Sequence, residues 1–294
     1  MTVRTVLLSL ALLLASCDAG GQGTLRVHLS GEQPALTGYP FDDGVDVVGF
    51  VDGWTLEYTK VLVSVGRFSL STTTGEKATL DVDPVVADLH LGDAQAWELP
   101  GIPARRWDRL SFDVVPPTEG TRALPGVLAA DVDRMRTQGL ALLVEGVARN
   151  GGAAIPFSFG FHERVRAYDC VSGTDGTRGA VVRSNAIDEV ELTFHLDHLF
   201  LDSLVVPEPS MRFEPLAALA GPDSLLTLDD LQHPITDLAD RSGTPLVVDG
   251  SALVYDPGSF LLDEGRSIAS YVEASATTMP HLDGEGHCGY VTPP

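Results

Sequence analysis

The sequence predicts a mainly β protein, an antiparallel β-sandwich with a helical C-terminal extension. Three observations carry that expectation. Short stretches alternate apolar and polar residues with a period of two, the mark of half-buried strands. Glycine and proline, 30 and 19 of the 294 residues, punctuate those stretches as turns would. After Asp197 the alternation gives way to spacings that suit helices. Hydrophobic residues make up 44% of the chain, which suffices for a core in a domain of this length.

Taken in chain order, the first element is not structural. Arg4 and the apolar run Val6–Leu14 read as a secretory signal, too short for a spanning helix, which needs about 20 apolar residues. Leu14-Ala15-Ser16-Cys17 then forms a lipobox, the pattern at which a bacterial lipoprotein is cut and its cysteine acylated. Residues 1–16 are expected to be a signal peptide, Cys17 the site of lipid (palmitate) attachment, and 17–23 a flexible tether. A secreted chain without lipid is the alternative.

The strands follow. Thr24–Ser30 sets Leu25, Val27 and Leu29 on one face, with Arg26 and His28 on the other. A glycine- and proline-rich loop leads to Trp54–Leu70, one long strand or a tight pair. Val85–Leu91 and Leu110–Val115 are further strands, the latter stopped by Pro116 and Pro117. Asp131–Gln138 suits a turn or two of helix. Gly139–Arg149 and Ala154–His162 form a hairpin around Asn150-Gly151-Gly152, and Val165–Tyr168 continues its second strand. Asp188–Leu196 alternates again. Leu199–Leu204, Arg212–Ala220, a start at Thr227, and a helix from an Asp256-Pro257 cap through Thr277 make the helical part. The expected organisation is a sandwich over 24–196, with a mainly helical region over 197–294 packed on it.

Charge and cysteines bound the function. A formal charge of −22 repels phosphate backbones and anionic headgroups, which argues against nucleic acid and leaves the N-terminal lipid as the membrane contact. It favours cations, or serves only solubility. With Cys17 acylated, Cys170 and Cys288 remain, and in an oxidising compartment they are expected to pair. Thiol ligation of a metal is the other reading, and no CxxC spacing supports it.

Histidines carry the candidate chemistry. His195 and Asp197, two apart at a strand end, would share a face, and His198 could join them if the chain turns. Near the tail, Gly284 and Gly286 make a bend that could gather His281, Glu285 and His287. Imidazoles with carboxylates suit copper, zinc or nickel. The favoured ligands are His195, Asp197, His198 and His287, with His281 and Glu285 in reserve. The competing reading makes these histidines incidental, bonded to backbone or exposed on a loop. Calcium is not expected, because the EF-hand-like stretch 219–231 lacks two of three side-chain ligands and its turn glycine. No GxSxG, HExxH or phosphate-cradling loop nominates an enzyme. Trp54, Trp97 and Trp107 read as core rather than a sugar-binding face.

Gly31-Glu32, Asp52-Gly53-Trp54, Tyr168-Asp169-Cys170, His195-Leu196-Asp197-His198-Leu199-Phe200 and Gly284-Glu285-Gly286-His287-Cys288 together resemble an uncharacterised group of bacterial, chiefly myxobacterial, lipoproteins. That group carries an EF-hand-like insert after the His-x-Asp-His-Leu-Phe segment, which here coincides with the degenerate 219–231. The opening β-region is distantly similar to the MbnP-type periplasmic proteins linked to copper handling. The resemblance implies an exported β-sandwich and carries over no ligand. The functional expectation is a lipid-anchored protein of the cell envelope, facing periplasm or exterior, that binds copper or zinc without catalysis. The alternatives are an envelope interaction protein without metal and an exported metal-dependent hydrolase.

Overall fold

A computed structural model describes residues 20–78, 80, 82–221, 225–258 and 266–293. Residues 1–16, expected as a signal peptide, and Cys17 lie outside the described residues. No helix among the described residues is long and apolar enough to cross a membrane.

Alternation builds two main sheets, and three two-stranded sheets accompany them among the described residues. The first has four strands: β1 (Gln22–Ser30), β4 (Ala94–Pro103), β9 (Ile187–Phe194) and β10 (Pro280–Leu282), in the order β10-β9-β1-β4. Leu25, Val27 and Leu29 of β1 are fully buried, while Arg26 on the other face pairs with Glu98 at 2.8 Å. The β1–β9 pairing is parallel, an exception in a mostly antiparallel design. β4 was not legible as a strand, because Pro100, Gly101 and Pro103 interrupt its pattern. Its place at a sheet edge explains why the prolines are tolerated there.

The second sheet has nine strands built on β2 (Thr55–Ser71), a single 17-residue strand. Along one edge of β2 stand β5 (Arg109–Val114), against Val65–Ser71, and β6 (Leu142–Asn150), against Thr55–Val63. Ser64 marks the junction. Its N–H donates to the Ala141 carbonyl, and its own carbonyl accepts from Val115. β3 (Val85–Asp88) pairs with residues 62–65 of β2. The hairpin turn at Gly151 joins β6 to β7 (Ala153–Phe161), and the chain runs on into β8 (Val165–Tyr168), which exchanges the β6 partner for β5. Trp54, Trp97 and Trp107 are all buried with the core.

The helical segments of the C-terminal part are shorter than their spacing suggested. The stretch expected over Leu199–Leu204 is a 3-10 segment, Leu196–Phe200, and that over Arg212–Ala220 contracts to Glu214–Ala217. The last described helix is Ile268–Ala276, capped by Ser267, and the start expected at Asp256-Pro257 leads into residues 259–265, which lie outside the described residues. Thr227 does cap a helical turn, Leu228–Leu231, through a reciprocal bond with Asp230. Strand pairing takes the tail back. β10 joins β9, and β11 (Gly289–Val291) joins β8.

Between β10 and β11 the chain makes a bend fixed from both sides. Asp283 exchanges bonds with Glu191: its N–H donates to the Glu191 carbonyl and its Oδ1 accepts the Glu191 N–H, each at 2.8 Å. Gly284 N–H donates to the Thr193 hydroxyl at 2.9 Å. A Cβ on Gly286 would fall 2.1 Å from the carbonyl oxygens of Leu282 and Val171, so only glycine fits there. Cys170 and Cys288 form a disulfide that ties the bend to β8 across 118 residues of sequence. On the chain-entropy model a loop of that length is worth about 4–5 kcal/mol. Replacing both cysteines by alanine should therefore lower unfolding stability by about 2–5 kcal/mol, read as a fall in the urea midpoint. An unchanged midpoint would show that strand pairing alone fixes the tail.

Candidate metal centre

His195 sits where β9 ends and the 3-10 segment begins. Its N–H donates to the Met279 carbonyl at 3.0 Å, which fixes the backbone against the approach to β10. Register within the four-stranded sheet sets His281 beside Thr193. The tail thus delivers His281 to the two histidines that leave β9.

The imidazoles stack. His195 and His281 lie nearly parallel at 4.1 Å between centroids, and His198 meets His281 edge-on at 5.3 Å. One donor atom from each of His195, His198 and His281 lies within 4.8 Å of the others. His195 and His281 are only 7% and 4% exposed, so neither can rely on bulk water for its polar atoms. Burial and three neighbouring imidazoles push the His281 pKa down to about 2, and burial lowers that of His198 as well. Both are therefore neutral at pH 7 and carry a lone pair.

Hydrogen bonds decide which nitrogen carries it. The Thr278 hydroxyl donates to the Ser275 carbonyl at 2.8 Å, so toward His198 Nδ1, also at 2.8 Å, it can only accept. His198 consequently holds its proton on Nδ1 and leaves Nε2 free. His195 Nε2 faces the Gly284 carbonyl at 3.2 Å, which likewise assigns the proton to Nε2 and the lone pair to Nδ1. His281 Nδ1 is buried without a hydrogen-bond partner. An orphaned buried nitrogen beside two others with free lone pairs fits a cation-binding centre and is poorly explained by packing alone.

The remaining candidates stand around this trio. Glu285, exposed, brings Oε2 to 3.8 Å from His195 Nδ1. His287 is exposed, edge-on to His281 at 5.5 Å, and outside the three-histidine group. Asp197 is half-buried and lines a neighbouring cleft of about 510 Å³ with Glu32, Tyr39, His195 and Glu285. Asp197 and His287, favoured from the sequence, are thus peripheral, and His281, held in reserve, is central. The physical reason is local. The chain leaves the strand at His195 and coils as a 3-10 helix, in which residues three apart eclipse one another, so His195 meets His198 rather than Asp197. Glu32 was missed as a ligand candidate. Its Oε2 lies 3.8 Å from His195 Nε2, and burial pushes its carboxyl upward, with His195 opposing. The degenerate calcium-type stretch includes residues 222–224, which lie outside the described residues.

No protein-family model matches the chain, and no curated protein matches it. Among solved structures there is a distant likeness to MbnP from Methylosinus trichosporium, with 14% identity and a TM-score of 0.29. That likeness covers 67% of this chain and 88% of that one.

The depressed His281 pKa has a consequence for the metal-free protein. A histidine that titrates near 6.5 when unfolded and at about 2 when folded takes up its proton only in the unfolded state between those values. Its contribution is intact above about pH 6.5 and is lost as pH falls below it. The urea midpoint should drop between pH 7.5 and pH 5, and His281→Asn should flatten that slope. An equally steep slope in the variant would assign the acid sensitivity elsewhere.

Proposed function

We propose that the chain is a lipid-anchored protein of the cell envelope that binds one divalent transition-metal ion, copper or zinc, through His195, His198 and His281. The observation that carries this reading is the set of three converging imidazoles, two of them almost fully buried, with the His281 Nδ1 lone pair unused. Imidazole nitrogen suits both metals, and at equal availability the order of divalent affinities favours copper over zinc. Thr278 acts from behind by fixing the His198 tautomer, as carboxylates and carbonyls do behind other ligating histidines.

Binding without catalysis is the form of this reading that the surroundings favour. Glu32 and Glu285 both lean on His195, which leaves neither as a separate general base. Export is supported by the lipobox and by the disulfide, which belongs in an oxidising compartment.

Purified protein titrated with Zn(II) or Cu(II) should take up one equivalent. His281→Asn and His198→Asn should each weaken binding by about 100-fold or more, and Thr278→Val by about 10-fold, without changing the stoichiometry of the wild type. Unchanged affinity in both histidine variants would remove the site. Separately, Cys17→Ser should abolish incorporation of labelled palmitate and release the protein from the membrane fraction. Continued labelling would contradict the anchor.

A further inference from the structure

His195 belongs to two groups at once. Besides the buried trio, it stands with Glu32 and Glu285 in a second set whose donor atoms also lie within 4.8 Å of one another. The carboxylates approach different nitrogens of the ring, Glu32 Nε2 and Glu285 Nδ1, each at 3.8 Å. The two sets differ in surroundings. In the trio His195 and His281 are buried and His198 is partly buried, whereas Glu32 is half-buried and Glu285 exposed at the edge of the 510 Å³ cleft.

That cleft is strongly acidic. Glu32, Asp42, Asp43, Asp197 and Glu285 line it, and among the described residues no lysine or arginine does. A cleft of one charge sign concentrates counter-ions and speeds their arrival. Backbone geometry adds a further sign of construction. Glu32 is held at φ 54°, a left-handed conformation unusual for glutamate, with its N–H donating to the Ser30 hydroxyl at 2.9 Å. Gly284 faces it at φ 75°, and a Cβ there would lie 3.6 Å from Glu32 Oε1. The bend that presents the Gly284 carbonyl to His195 therefore also borders the Glu32 carboxylate.

We propose that Glu32, His195 and Glu285 form an outer station that captures a hydrated divalent cation from the cleft, and that the shared His195 ring hands the ion to His198 and His281. The proposal rests on the metal-binding reading of the trio and adds a loading path to it. Carboxylate oxygens accept a cation that still carries water, and the buried imidazoles then replace that water with nitrogen donors. Loading is sequential, with one ion per chain at the end, because both sets depend on the same residue.

Stopped-flow association of Zn(II), followed by competition with a chromophoric chelator, tests this on the full folded chain. The variant Glu32→Gln/Glu285→Gln should bind about 10-fold more slowly while still reaching one equivalent. An unchanged association rate would overturn the station. A second variant, His198→Asn/His281→Asn, isolates the outer set. It should retain weak zinc binding that disappears when Glu32→Gln and Glu285→Gln are added. If it binds no zinc, the outer station falls and the trio stands. If it keeps wild-type affinity, the trio reading fails instead. If the wild type binds neither zinc nor copper, both fail.

Discussion

Everything at the candidate centre depends on the return of the tail to the four-stranded sheet. Three residues, Pro280–Leu282, add a strand to β9, and the following bend is pinned by Asp283 to Glu191 and by Gly284 to Thr193. The Cys170–Cys288 bond closes the arrangement from the other sheet. Without that return His195 and His198 would face a gap. With it, a third imidazole lies parallel to the first at 4.1 Å. A sequence separation of more than eighty residues is thereby converted into a single pocket.

The arrangement trades one kind of satisfaction for another. Buried imidazoles that stay neutral avoid the desolvation of a charge, but each keeps a lone pair that needs a partner. Thr278 and the Gly284 carbonyl take the protons of His198 and His195 and leave one nitrogen of each ring with a free lone pair. Such an arrangement is a weak way to stabilise an apo fold and a natural way to hold a cation. Around it the surface is acidic, consistent with the net charge of −22, and the cleft beside His195 carries the same sign.

Much of the fold was legible in the sequence, for reasons that particular elements make plain. β1 and β7 alternate along their length and β2 at both ends, because one face lies in the core there, whereas residues 61–66 in the middle of β2 are buried on both faces. β4 escaped notice because an edge strand tolerates prolines that erase the alternation. The strands at 280–282 and 289–291 fall inside the region expected to be mainly helical, because three residues are too few to show a period of two. At the centre, the two histidine clusters and their cysteine staple were readable from composition and spacing. The choice between His281 and His287, or between Asp197 and His198, turned on register and on a 3-10 turn that no local pattern encodes. Thr278 and Glu32 lie still further from view, since a hydroxyl that accepts the His198 proton and a residue at the head of a short helix carry no ligand signature of their own.

X-ray absorption at the metal edge of zinc- or copper-loaded protein tests the central claim most directly. Three converging imidazoles predict nitrogen at about 2.0–2.1 Å for zinc, with outer-shell scattering from about three rings. A shell without imidazole scattering, or one containing sulfur at about 2.3 Å, would contradict the assignment of His195, His198 and His281 as the ligands.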